Sequence, residues 1–324
     1  MALQPARHPL VSQWLNGSMV IDNMGLSTGK RFYVHSGTGT DAAGYGYSPD
    51  LPCATVDYAI ANLCTASQGD IIYAMPGHAE SLAADSAVDM DKAGITIWGL
   101  GYGASRPTFT CTAAAGDFKL ATASSVIRNL LFLNDVDNST GLLEVSAADC
   151  GIFDVEIREA DGAKFADSLL ITTASADRLT LKNIRIRGNA ADGAVDGILL
   201  IGADDVVMEN ITIWGDFSKA CIHLLTTPSL RGEYRDLYLY NEDATAGGDA
   251  IKAFWDEVTA STGTLRGDIH CQLGLDAANT TGAVTAATFV YFGNTGPDTG
   301  PSVVNAVGEC PQMNIDTFTA STDA

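Results

Sequence analysis

The sequence predicts an all-β protein, a right-handed parallel β-helix whose coils of about 27 residues stack into one hydrophobic column. Three observations carry this. Asn129, Asp154, Asn183, Asn210, Asp236 and Asp268 each precede a short strand-like run, at spacings of 25, 29, 27, 26 and 32 residues. A second series of β-rich runs, at 142–146, 169–173, 198–202, 221–226, 250–255 and 288–292, repeats in step with the first. Between the two series there is no room for a ten-residue helix, which excludes helical repeats of similar period.

Within a coil, alternation assigns the faces. Ile184 and Ile186 are expected to point into the column, with Arg185 and Arg187 toward water, and Ile211, Ile213, Leu237 and Leu239 repeat the pattern. The Asn or Asp before each strand is read as a turn residue, because these side chains tolerate left-handed geometry and bond nearby backbone. Segments 189–193 and 244–248, rich in Gly, Ala and Asp, are expected to be loops.

Upstream of the repeats, residues 55–64 place Val56, Ala59, Ile60 and Leu63 at helical spacing behind Thr55, a suitable N-cap. A short helix there would cover the open N-terminal end of the solenoid. The domain reading is an arm over 1–30, the β-helix over 31–274 with its capping helix near 55–64, and a C-terminal cap or tail over 275–324. The arm carries Leu10, Val11, Trp14 and Leu15 without periodicity, and these are expected to anchor a neighbouring subunit or partner.

Composition narrows the function. Of 324 residues, 46% are hydrophobic and 18% charged, which suits a packed core. A formal charge of −21 argues against nucleic-acid and anionic-membrane partners. No run reaches the roughly 18 apolar residues of a membrane span, and the first residues lack the pattern of a signal peptide. Seven scattered cysteines form no CxxC pair, so they are read as small buried apolar residues in a reducing compartment, with no metal and no cofactor. The acidic segment 134–138 lacks EF-hand spacing and is read as a solvated loop.

The stretch Phe32, Tyr33, Val34, Gly46, Ser48, Pro49, Pro52, Thr55, Ala59 and Ile60, followed by Gly69 to Gly77 (GDIIYAMPG), resembles the N-terminal entry of the pectate-lyase-like β-helix superfamily. His78 and Glu80, Gly99 to Gly103 and Arg106-Pro107-Thr108 make it more similar to β-helix proteins of tailed bacteriophages. That resemblance implies a homotrimeric virion component made in the host cytoplasm. The expectation is therefore a non-enzymatic capsid decoration or cement protein whose partners are capsid or other virion proteins. The alternative is a tailspike-like polysaccharide depolymerase, hydrolase or lyase.

Candidate catalytic groups are sparse by sequence. Asp154 and Glu156, in the densest charged strand, form the one carboxylate pair that an acid–base mechanism on sugars could use. Asp204 and Asp205 precede a strand and read as a solvated turn. His78 beside Glu80 reads as a surface hydrogen-bonding group, and nothing places His223 and His270 together. Few outward aromatic residues are evident, since Trp98, Trp214 and Trp255 end or close strands. These features favour the non-enzymatic expectation.

Overall fold

A computed structural model describes residues 11–15, 18–21, 29–136, 141–160, 167–190, 193–242, 251–273, 284–285 and 289–292. The described residues between 29 and 292 wind as a right-handed parallel β-helix. A 14-stranded sheet runs from Arg31–Val34 to Phe289–Phe292, and an 8-stranded sheet from Val88–Asp89 to Val284–Thr285 closes the other side. Successive strands in both sheets pair in parallel, as in Thr180–Arg187 on Val207–Gly215.

A single residue bends the long sheet in each coil. In the earlier coils it is the first of the two residues between a pair of short strands, as Asp154 is between Gly151–Phe153 and Glu156–Glu159; in the later ones it lies inside one long strand, Thr180–Arg187. Asn129, Asp154, Asn183, Asn210 and Asp236 hold this bend with φ between 51° and 57°. These are the predicted turn residues in the predicted left-handed conformation. Their side chains reach beyond their own backbone, however: Asn183 Nδ2 donates to Asp154 Oδ1 at 2.8 Å and Asn210 Nδ2 to Asn183 Oδ1 at 2.9 Å. The stacking of coils places like residues about one strand spacing apart, so amides and carboxylates join into a ladder.

The sixth repeat departs from the sequence reading. Gly267, at φ 73°, takes the left-handed position, and Asp268 sits one residue past it beside a register shift. A side chain at 267 would run into the Asp236 carboxylate, a contact that glycine avoids. The segment 288–292 is also corrected. Phe289–Phe292 pairs with Gly263–Leu273 in the long sheet, and Val284–Thr285 takes the place in the second sheet. The Thr- and Gly-rich sequence there lacks the β-branched contrast that separates the two registers.

The core follows the alternation. Ile184, Ile186, Ile211, Ile213, Leu237 and Leu239 are all buried, while Arg185 and Arg187 are exposed. Phe109 and Phe132 stack at 5.6 Å and Phe118 meets each edge-on at 5.2 Å. Cys53, Cys64, Cys111, Cys150, Cys221 and Cys271 are buried free thiols; Cys310 lies outside the described residues.

The capping helix spans Val56–Asn62, with the Thr55 side chain accepting from Tyr58 N–H and Val56, Ala59 and Ile60 buried. Lys92 closes its other end, donating from Nζ to the carbonyls of Ile60 and Ala61 at 2.6 Å and of Cys64 at 3.0 Å. His78 is buried, contrary to its reading as a surface group. Its Nδ1 accepts from Ser36 N–H at 3.1 Å, which leaves Nε2 to donate to Glu80 Oε2 at 3.1 Å. Glu80 Oε2 in turn accepts from Val56 N–H at 2.9 Å, so the pair ties the helix to the first coils.

In the arm, Val11–Leu15 and Ser18–Ile21 pair as an antiparallel hairpin, with Trp14 opposite Met19. Leu10, loop 244–248 and most of the tail after 274 lie outside the described residues.

Candidate active site

The bend in the long sheet creates a recess on the outside of the column. Arg106, Asp154, Val155, Glu156, Asn183, Ile184, Arg185, Asn210 and Thr212 line a cleft of about 240 Å³. The floor consists of the αL ladder, and one wall is the outward row Glu156, Arg185, Thr212, aligned across three coils by strand register. Arg106 also lines the cleft, against Glu156, and enters from the segment joining Thr96–Gly99 to Thr108–Cys111.

Arg106 is fully committed. Its Nε donates to Asn129 Oδ1 at 3.1 Å, Nη1 to Glu156 Oε2 at 3.0 Å and Nη2 to the Asp154 carbonyl at 2.5 Å. Burial lowers this guanidinium from its ordinary value and Glu156 draws it back up, but an arginine remains charged throughout. Glu156 is equally committed: Oε1 accepts from Arg158 at 2.7 Å while Oε2 holds Arg106. Asp154 engages Asn183 through Oδ1, and its Oδ2 has no partner among the described residues. Arg185 is exposed on the strand next to Glu156 and makes no ion pair with the described residues.

The cleft therefore holds one carboxylate oxygen and one guanidinium free to act, on a scaffold whose other charges are locked. Of these residues, sequence reading singled out Asp154 and Glu156. Arg185 had a signal: it stands 29 residues after Glu156 and 27 before Thr212, the same offsets that separate Asp154, Asn183 and Asn210. Arg106 had none, since it enters from outside the repeating strands.

The other sequence candidates lie elsewhere. Asp205 occupies a second left-handed corner, stacked with Asp149, Arg178 and Arg231. It pairs with Arg231 at 2.7 Å, and that hydrogen bond holds its carboxyl below the ordinary value. The reading of Asp204 and Asp205 as a solvated turn fits this geometry. Among the described residues, no group of three or more His, Cys, Asp or Glu side chains is placed to hold a metal.

His223 and His270 are apart, on different sheets. His223 is buried between two carboxylates, with Nδ1 3.0 Å from Asp196 Oδ1 and Nε2 2.9 Å from Glu257 Oε2. Trp255 stacks on its ring at 4.7 Å. Burial pushes its pKa down, but Asp196 and Glu257 outweigh it and the net shift is upward. Burial raises Asp196 in turn.

The fold is a right-handed parallel β-helix with a charged recess on its outer face. Among solved structures the chain is similar to a rhamnogalacturonan lyase, with a TM-score of 0.54 and 12% identity, over 82% of this chain and 73% of that one. No protein-family model matches the sequence, and no curated protein matches it.

This likeness overturns the expectation of a non-enzymatic capsid decoration protein, because the β-helix matched is that of a polysaccharide-cleaving enzyme. The physical grounds for that expectation also fail. A charged cleft is present, and outward aromatic residues are not scarce: Trp214, Tyr238 and Tyr240 stand on the same face as Arg185 and Arg187. Trp214 stands one residue before the end of its strand, where period-two alternation gives a weak assignment of faces, whereas Tyr238 lies inside Gly232–Asn241 and alternates outward with the buried Leu237 and Leu239.

Proposed function

We propose that the protein is a polysaccharide-degrading enzyme whose active site is the cleft between Arg106 and Arg185, and that it cleaves an acidic glycan by elimination. The observation that carries this is Arg185, which has no ion pair among the described residues, in one cleft with Asp154, whose Oδ2 has no partner among them. In a chain with a formal charge of −21, a cation left without a carboxylate in a recess is suited to an anionic group from outside.

Arg185 would bind the carboxylate of a uronate residue and withdraw charge from it, which acidifies the proton on the adjacent carbon. Asp154 Oδ2 takes that proton. The electron pair forms a carbon–carbon double bond, the glycosidic oxygen leaves with its bonding pair, and water protonates it while Asp154 releases its proton to solvent. Glu156 is a positioning residue that fixes Arg106 and Arg158.

Hydrolysis is the second reading, and the same geometry weighs against it. It uses two carboxylates free to serve as acid and base or nucleophile. Here both oxygens of Glu156 are already bonded to guanidinium groups. The test is digestion of a panel of acidic and neutral polysaccharides, with new reducing ends and the ultraviolet absorbance of an unsaturated uronate read together. Elimination raises both signals on acidic polymers alone. New reducing ends without the absorbance would establish hydrolysis, and neither signal on any polymer would remove the enzymatic reading.

A further inference from the structure

The ladder of bend residues has a direction. A carboxylate only accepts, so the end of the Asn183 amide that meets Asp154 Oδ1 at 2.8 Å must be its nitrogen. That leaves Asn183 Oδ1 facing the next coil, where it accepts from Asn210 Nδ2 at 2.9 Å. The sequence of donor and acceptor thus follows from the one charged member of the run. All three residues hold left-handed backbone, at φ of 57°, 57° and 56°, so the bends repeat one geometry. The run stops at Asn210. Asp236 holds the next bend, its Oδ1 accepts from Asp268 N–H, and no side-chain hydrogen bond joins it to Asn210 among the described residues. On the other side of Asp154, Asn129 is engaged elsewhere, with Nδ2 on the carbonyls of Gly99 and Gly101 and Oδ1 on Arg106 Nε. Among the described residues the Asp154 carboxylate is therefore held from one side only, through Asn183.

We infer that Asn210 is a positioning residue for the proposed base: by fixing which end of the Asn183 amide faces Asp154, it keeps Oδ1 engaged and leaves Oδ2 for the substrate. The two ends of an amide are nearly the same size, so Asn183 can turn over without a steric clash, and its partners alone decide the orientation. With the oxygen toward Asp154, two acceptors would face each other and the carboxylate would be driven from its place. Asn210 stands two strand spacings, about 10 Å, from Asp154 and acts on it only through Asn183. Hydrogen bonds in such a chain polarise one another, so the bond from Asn210 also strengthens the one that Asn183 gives.

The inference rests on Asp154 as the base, and the two are tested apart. Asn210→Asp keeps a residue type that the ladder already holds at left-handed bends, but a carboxylate at 210 demands the Asn183 nitrogen for itself. Asn210→Gly keeps the backbone and removes any demand on Asn183. Asp236→Asn, in the bend beyond, is the control, since an asparagine there still accepts from Asp268 N–H. On the best acidic polymer, kcat is expected to fall at least about tenfold in Asn210→Asp, by a smaller factor in Asn210→Gly, and not at all in Asp236→Asn. The added negative charge by itself would raise KM and leave kcat, so the split separates orientation from repulsion of the substrate. Full kcat in Asn210→Asp, or an equal loss in Asp236→Asn, would overturn the inference. Neutron diffraction from deuterium-exchanged crystals of the full chain reads the amide without reference to cleavage. The Asn183 nitrogen is expected to face Asp154 in the parent and residue 210 in Asn210→Asp. A nitrogen that faces Asp154 in both would overturn the inference even if kcat has fallen. If the amide turns over while the parent cleaves no polymer, the control of Asn183 by Asn210 stands and the reading of Asp154 as the base falls.

Discussion

Asn183 stands one coil above Asp154 and donates its side-chain amide to the Asp154 carboxylate at 2.8 Å, while both residues hold left-handed backbone at φ 57°. The bend that shapes the cleft thus depends on a backbone conformation few residues accept and on a side-chain bond between coils. Asn183→Val is expected to destabilise the protein by about 2–4 kcal/mol, adding β-branched strain to the loss of two hydrogen bonds, to Asp154 and from Asn210. Asn183→Gly keeps the conformation and loses only those two bonds, so its effect is smaller, about 1–2 kcal/mol. Urea denaturation of both variants checks the order, and an Asn183→Val protein as stable as the parent would refute the structural role of the ladder.

The capping helix is short, and Lys92 satisfies carbonyls at its end that no helical amide can reach. Lys92→Met is expected to destabilise the N-terminal end by about 1–3 kcal/mol. Hydrogen exchange should quicken at residues 56–64 before the later coils, and uniform exchange would contradict a local cap.

Stability should depend on pH through His223. Its folded pKa is raised above the unfolded value near 6.5, so its contribution is fully present below that value and lost as pH rises through the folded pKa. The raised carboxyl of Asp196 acts in the same direction at lower pH, since the folded state holds that proton more tightly. Thermal unfolding from pH 6 to pH 9 is expected to show falling stability, with a shallower slope in His223→Gln. An identical slope in the variant would show that other groups set it.

Burial pushes the thiols of Cys53, Cys64 and Cys271 up to about 12 and raises those of Cys150 and Cys221. Thiolate is the reactive form, so alkylation of the native protein should leave these five unmodified at neutral pH until denaturant is added. Peptide mass spectrometry after brief iodoacetamide treatment reads this directly.

Much of the fold was legible because a solenoid writes its architecture into the period. The left-handed bend of the long sheet is held by Asn, Asp or Gly and most inward positions carry an apolar side chain, so Asn129 to Asp236 and Ile184 to Leu239 announce both features. Legibility ends where the period breaks. Gly267 displaces Asp268 from the bend because a 32-residue spacing conceals a bulge, and 289–292 changes sheet without any change in residue type. The cleft was half legible. Asp154 and Glu156 are close in sequence, but their different roles arise from partners 48 and 50 residues away, Arg106 to the Asp154 carbonyl and to Glu156. The burial of His78 depends likewise on Ser36 and Phe109, far from it in sequence.

The central claim is that an unpaired guanidinium on the outer face of one coil, beside a free carboxylate oxygen, makes this β-helix an enzyme. The most direct test is cleavage of the best acidic polymer by Arg185→Gln, with Arg178→Gln, which breaks an exposed pair at a different corner, as the control. Loss of kcat/KM by at least about 100-fold in Arg185→Gln, with unchanged denaturation and a fully active Arg178→Gln, is the predicted result. Full cleavage by Arg185→Gln would contradict the account and remove the cleft as the place where the chemistry occurs.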